Sequence, residues 1–185
     1  MTESLANSFL IAMPGLGDPH FYQTVTLICE HNQDGALGVV VNRSTDLKLG
    51  ELLEQLNLGD ISEKVRERTV NYGGPVQMDR GFILHEPVGA WESTLSVGPT
   101  LGLTASLDIL TAIAHGAGPQ RNLIALGYAG WDAGQLEQEI ADNAWLVAAG
   151  DPNIVFDAPE AERWRIAAAS LGVDLNLISN NAGHA

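Results

Sequence analysis

The chain of 185 residues is 45% hydrophobic and sets nine Lys and Arg against 23 Asp and Glu, a formal net charge of −14. That length buries one substantial core and argues against two large domains, while the acid excess repels phosphate backbones and anionic bilayers and so disfavours nucleic-acid and membrane-surface partners. The single cysteine, Cys29, excludes an internal disulfide, a Cys-x-x-Cys redox motif and a cysteine-clustered zinc site, and fits a reducing compartment.

The N-terminus has no basic leader, and no window is long enough to span a bilayer, so a cytoplasmic location is expected. One domain over residues 1–178 is expected, followed by a loose tail at 179–185. Residues 8–13 are an apolar run closed by Pro14-Gly15 and predict a short buried strand. Residues 21–31 alternate, which places Phe21, Val25, Leu27, Cys29 and His31 on one strand face. Turn chemistry follows at Asn32, Asp34 and Gly35, and the valine-rich residues 36–42 complete a hairpin. Leu49, Leu52, Leu53 and Leu56 fall on one helical stripe.

Residues 61–68 read as a polar connection or a frayed helical turn, with Lys64, Arg66 and Arg68 as ordinary solvated surface. Residues 70–72, 81–85 and 93–97 predict three strands, interrupted by Gly73-Gly74-Pro75 and by a loop holding Pro87, Gly89 and Trp91. Leu103, Leu107, Leu110 and Ala114 keep helical spacing up to His115-Gly116. Residues 122–126 form the strand that feeds the stretch from Gly127 through Tyr128, Gly130, Trp131 and Gly134. There Asp132 is expected to cap a helix, with Gln135 returning the capping-box bond and Trp131 stapled to Leu136. That helix is expected to end near Asn143, and Trp145 to begin a strand that returns to the core. Asp157 and Glu160 predict a last capped helix with Trp164, Ala168 and Leu171 on its stripe, and residues 173–178 a final strand. This order has no βαβ alternation and gives an α+β fold with a mixed, largely antiparallel sheet.

Several of these stretches form a recognisable set: Ala12-Met13-Pro14, Glu30-His31-Asn32, residues 35–43, residues 49–56, Gly73-Gly74-Pro75-Val76, residues 127–131, residues 134–137, and Asn143 with Trp145. In these, and over nearly its whole length, the chain resembles the YqgE/AlgH family of bacterial proteins. Ser44 departs from the pattern, standing where the family usually has proline, which implies a less rigid chain there. The resemblance implies a bifurcated sheet folded into a pseudo-barrel, with about four helices packed around it. It implies no established enzyme activity, and a regulatory role follows only from the AlgH name, through a genetic link to alginate regulation in pseudomonads.

Candidate chemistry is sparse. Cys29 and His31, two residues apart on a strand, would be separated by roughly 6.8 Å, beyond hydrogen-bond reach, so Cys29 reads as a buried inert thiol rather than a nucleophile. The five histidines form no His-x-x-x-His pair, and no metal is expected. No Gly-x-Ser-x-Gly elbow, Walker loop or complete dinucleotide fingerprint occurs, and no cofactor is expected. Asn42 and Arg43 close a valine strand, and an internal salt bridge is the expected fate of Arg43. The leading expectation is a non-catalytic cytoplasmic regulatory or protein-interaction domain with an unidentified protein partner. The alternative, a small-molecule binding protein or hydrolase, requires His31, Asn42, Arg43 and His85 to converge on one cleft.

Overall fold

The computed structural model describes residues 3–175 and 177. Its strands are β1 (Ser8–Ala12), β2 (Val25–Asn32), β3 (Gly35–Val40), β4 (Ser44–Lys48), β5 (Thr69–Tyr72), β6 (Val76–Glu86), β7 (Thr94–Ser96), β8 (Gly102–Thr104), β9 (Arg121–Asp132) and β10 (Trp145–Ala149). The helices are α1 (Leu49–Gln55), α2 (Glu63–Arg66), α3 (Leu107–Ala114), α4 (Gln135–Ala141), α5 (Pro152–Phe156) and α6 (Arg163–Ala169), with a 3-10 turn at Glu160–Glu162. Four of them, α1, α3, α4 and α6, have seven or eight residues.

The α+β class holds, with one mixed, mainly antiparallel sheet in the order β10-β1-β2-β3-β9-β6-β8-β7, curled into a half-barrel. The sheet forks along β9. Its first half pairs with β6 on one side and, in parallel, with β5 at Ala125 and Leu126 on the other; beyond the fork, residues 129–132 pair with β3 instead. Gly127 sits at the change of partner with φ +79°, and a Cβ there would stand 2.3 Å from the carbonyl oxygen of Gly74. Only glycine accepts both the left-handed backbone and the close approach. Facing it, residues 77–80 of β6 have no partner, because the register steps from Val76↔Tyr128 to Gly81↔Leu126.

Three apolar clusters fill the curl. The largest joins Phe9, Ile11, Leu27, Val39, Leu84 and Trp164. A second sets α1 and α3 against β5, β6 and β9 through Leu49, Leu53, Val70, Ile83, Ile109 and Ile124. The third, around Trp131 and Trp145, includes Leu10, Ile28 and Leu136. Alternation along β1 explains the split, since Phe9 and Ile11 enter one cluster while Leu10 and Ala12 enter another.

Several sequence expectations need correction. Residues 21–24 are a turn, because the Asp18 carbonyl accepts from the amides of both Phe21 and Tyr22, and Gln23 takes φ +54°. Leu103 belongs to β8, paired with Leu84 and Leu95, and the helix starts only at Leu107. Asp132 ends β9 rather than capping α4, whose N-cap is Gly134 at φ +78°; Gln135 nevertheless returns its side chain to the Asp132 amide at 3.0 Å. Asp157 is not an N-cap: it closes α5, an unforeseen helix capped by Asp151, its carboxylate takes Arg121 Nη2 at 2.6 Å, and the helix expected from Asp157 begins only at Arg163, after the 3-10 turn. Leu171 is exposed rather than part of a buried stripe. Of the expected final strand, Leu175 and Leu177 are helical, while residues 176 and 178 and the tail at 179–185 lie outside the described residues. β4 was not anticipated at all. The helix end before Asn143, which takes φ +62°, and the strand from Trp145 are as expected.

Candidate functional site

The four residues that sequence reading singled out occupy three separate places. His31 is buried on β2, where Nδ1 accepts the Leu5 amide at 2.9 Å; the ring proton is therefore on Nε2, which donates to Glu137 Oε1 at 2.5 Å. That bond holds the Glu137 carboxyl below the usual carboxylate range. The side chain thereby ties the N-terminal segment and α4 to the sheet.

Cys29 and His31 do not share a face, contrary to the alternation read from sequence. A β-bulge takes the register from Ile28↔Gly38 to Glu30↔Leu37 and leaves Cys29 without a cross-strand partner. One extra residue reverses the parity of everything beyond it. Cys29 therefore joins the cluster of Leu27 and Val39, while His31 pairs with Ala36 on the side of Ile28 and Trp131. Burial pushes the Cys29 thiol far up, and it donates weakly to the Leu27 carbonyl at 3.6 Å. A thiol so placed is inert.

His85, fully buried on β6, donates from Nδ1 to the Pro87 carbonyl at 2.9 Å, so in the neutral ring Nε2 accepts from the Thr104 hydroxyl at 2.7 Å. Desolvation lowers its pKa from the ordinary 6.5, against a smaller opposing effect of the Pro87 bond. The unfolded chain then binds a proton that the folded one does not between 6.5 and the lower folded value. Stability from this group is complete above the unfolded pKa and is lost as pH falls through that window. Urea unfolding at pH 7.5 and 5.5 is expected to give a lower midpoint at the acid value, with a smaller drop in His85→Gln; an equal drop would exclude His85 as its source.

Asn42 and Arg43 do act together, following β3. Asn42 accepts the Val25 amide at 2.8 Å and donates to the Gln23 carbonyl at 3.0 Å. Arg43 forms no salt bridge among the described residues; it donates to the carbonyls of Pro19, His20 and Tyr22 at 2.8, 2.9 and 2.8 Å. The pair anchors the loop at residues 18–23, and it borders a hollow of about 550 Å³ shared with Glu160, Glu162, Trp164 and Arg165.

Two hollows lined by charged side chains escaped sequence reading. One, of about 440 Å³, lies across the far end of the fork, between Glu30, Asn32 and Asp34 on one side and Tyr128, Trp131 and Asp132 on the other, with Val76 on its rim. The other, of about 250 Å³, holds Arg68, Asn122 and Arg163. In the sequence Arg68 has neighbours that alternate in charge and so reads as ordinary surface, while Arg163 falls inside the helix expected from Asp157. Below the first hollow, Phe21, Trp131 and Trp145 pack with centroids 5.4 to 6.2 Å apart, and both indole N–H groups donate to Glu139 Oε1, at 3.0 and 2.9 Å. The glycine- and tryptophan-rich stretch is thus held from beneath by one carboxylate. Among the described residues no three His, Cys, Asp or Glu side chains are grouped to hold a metal ion, and no helix is long and apolar enough to cross a membrane.

A sequence profile of the AlgH-like family matches residues 9–176. The chain is 55% identical over 184 residues to a UPF0301 protein of Thioalkalivibrio sulfidiphilus, covering 100% of this chain and 98% of that one. It is 53% identical to another from Methylococcus capsulatus, over 98% and 97% of the two chains. Among solved structures, the AlgH protein from Pseudomonas aeruginosa superposes with a TM-score of 0.82 at 49% identity, over 97% of each chain. A protein from Corynebacterium diphtheriae, at 20% identity and TM-score 0.75 over 96% and 93%, shares the fold.

Proposed function

The chain belongs to the AlgH-like family, and from that premise we propose that it is a non-catalytic cytoplasmic regulatory domain that acts by binding a protein partner at the end of the sheet fork. The observation that carries this reading is the pairing of acid and apolar groups there. Glu30, Asp34 and Asp132 line the hollow, and next to it the unpaired residues 77–80 of β6 hold Met78 at 52% exposure. A flexible thioether beside clustered carboxylates suits a basic, partly apolar segment of another protein, because Met adapts to irregular surfaces and the field steers cations inward. His31, His85, Asn42 and Arg43, by contrast, bond to other parts of the chain, which favours binding over catalysis.

Affinity capture from native lysate, run beside a metabolite-binding screen, tests the reading. A reproducible protein partner that is retained by the wild type and lost with Met78→Asp supports it. A metabolite hit with no partner, or a partner indifferent to Met78→Asp, contradicts it and favours the small-molecule alternative.

A further inference from the structure

We propose that the recess between the β4–β5 edge and the α5–α6 connection is a binding site for a small oxyanion, a phosphate or a short carboxylate, held by Arg68 and Arg163. It lies apart from the acidic hollow at the fork, shares no lining residue with it, and its occupancy does not depend on a protein partner.

Arg43 is anchored on three loop carbonyls, while Arg66 pairs with Glu54 and Arg121 with Glu86 and Asp157. Arg68 and Arg163 form no such pair among the described residues. Arg68 Nη2 donates to the carbonyl of Asn122 at 3.1 Å and to its side-chain oxygen at 2.6 Å. Arg163 donates from Nε to the Ala158 carbonyl at 3.0 Å and from Nη1 to the Val41 carbonyl at 2.5 Å. Every one of these acceptors is neutral.

Neither guanidinium is in open water. Arg163 is 8% exposed and Arg68 is half-buried, and desolvation lowers the pKa of both. Glu160 offsets part of that desolvation for Arg163, and a bound anion offsets more for both. The one carboxylate on the wall, Glu160, is already engaged at both oxygens: Oε1 takes Asn71 Nδ2 at 2.7 Å, and Oε2 takes the Ser44 hydroxyl. Two positive groups against one negative leave one unit of positive charge facing the recess.

The donors suit the ligand class. Arg68 Nε and Nη1 and Arg163 Nη2 make no hydrogen bond among the described residues, and guanidinium edges match the oxygens of carboxylates and phosphates. Ser44, Thr69, Asn71 and Asn122 add polar surface. A volume of about 250 Å³ falls below the range of sites for drug-sized ligands, so an inorganic phosphate or a short organic acid fits and a nucleotide does not.

The test is an amide NMR titration of the full chain with sodium phosphate and, in a second arm, sodium acetate, each against sodium chloride at matched ionic strength. Saturable shifts at Thr69, Asn71 and Asn122 are expected in at least one arm, and the arm that saturates assigns the phosphoryl or the carboxylate form. Arg68→Gln should weaken the apparent affinity by roughly tenfold or more, the scale of a lost charged hydrogen bond. Asn122→Asp, which places a carboxylate on Arg68 without removing it, should do the same and guards against a folding defect in the first variant. Shifts that match chloride in both arms overturn the proposal, as does saturation that both variants leave unchanged.

Discussion

Gly127→Ala is expected to cost more than about 4 kcal/mol, a size reached only when a single change breaks a specific structural device. The added Cβ brings two penalties together. A left-handed φ of +79° strains any residue with a side chain. In addition, the new atom would stand 2.3 Å from the Gly74 carbonyl oxygen and 3.1 Å from that of Val76, both of them backbone that cannot rotate away. Relief requires β9 to separate from the turn before β6, which is where the sheet forks. For a chain of this length the melting temperature should drop by about 8–16 °C, or the cooperative transition should vanish. Gly130→Ala supplies the control, since its Cβ would meet only the edge of the Tyr128 ring, at 3.4 Å. A similar loss in both variants would mean that the fork does not depend on Gly127.

Glu139→Ala is expected to cost about 2–4 kcal/mol, well beyond the effect of an ordinary surface substitution. The carboxylate is only half-buried, but Oε1 receives the N–H groups of both Trp131 and Trp145, and Oε2 receives Gln135 at 2.9 Å. Truncation leaves two indole donors in an aromatic cluster from which water is largely excluded, with Trp131 and Trp145 only 6% and 4% exposed. Glu139→Gln keeps the Oε1 acceptor and should recover most of the loss. Chemical denaturation of the two variants decides the matter: equal midpoints would show that the charge, and not the acceptor geometry, holds the tryptophans.

Much of this fold was legible because periodicity survives in short segments. The leucine stripe of α1, the hairpin of β2 and β3, and the turn from α4 into β10 follow from spacing alone. What escaped was set by partners distant in sequence. The bulge at Cys29 leaves no local mark, yet it reverses the face on which His31 falls. Leu103 keeps helical spacing with Leu107 by coincidence, and the strand at Gly102–Thr104 forms because β6 and β7 flank it. Asp157 looked like a cap because the sequence does not reveal that Arg121 stands opposite. Arg68 was hidden in the same way: alternating charge suggested solvent, and only the placement of Asn122 and Arg163 turns it into the wall of a recess.

On the proposed reading the prominent polar residues build the fold while the acidic end of the fork binds, and partner capture per folded molecule in two double variants separates the two roles. Asn42→Ala/Arg43→Ala should lower the melting temperature, because it frees the carbonyls of residues 19, 20, 22 and 23, yet its folded fraction should capture the partner like the wild type. Asp34→Lys/Asp132→Lys should melt like the wild type and lose capture. The opposite pattern, with capture lost at Asn42 and Arg43 and kept at the fork, would contradict the account.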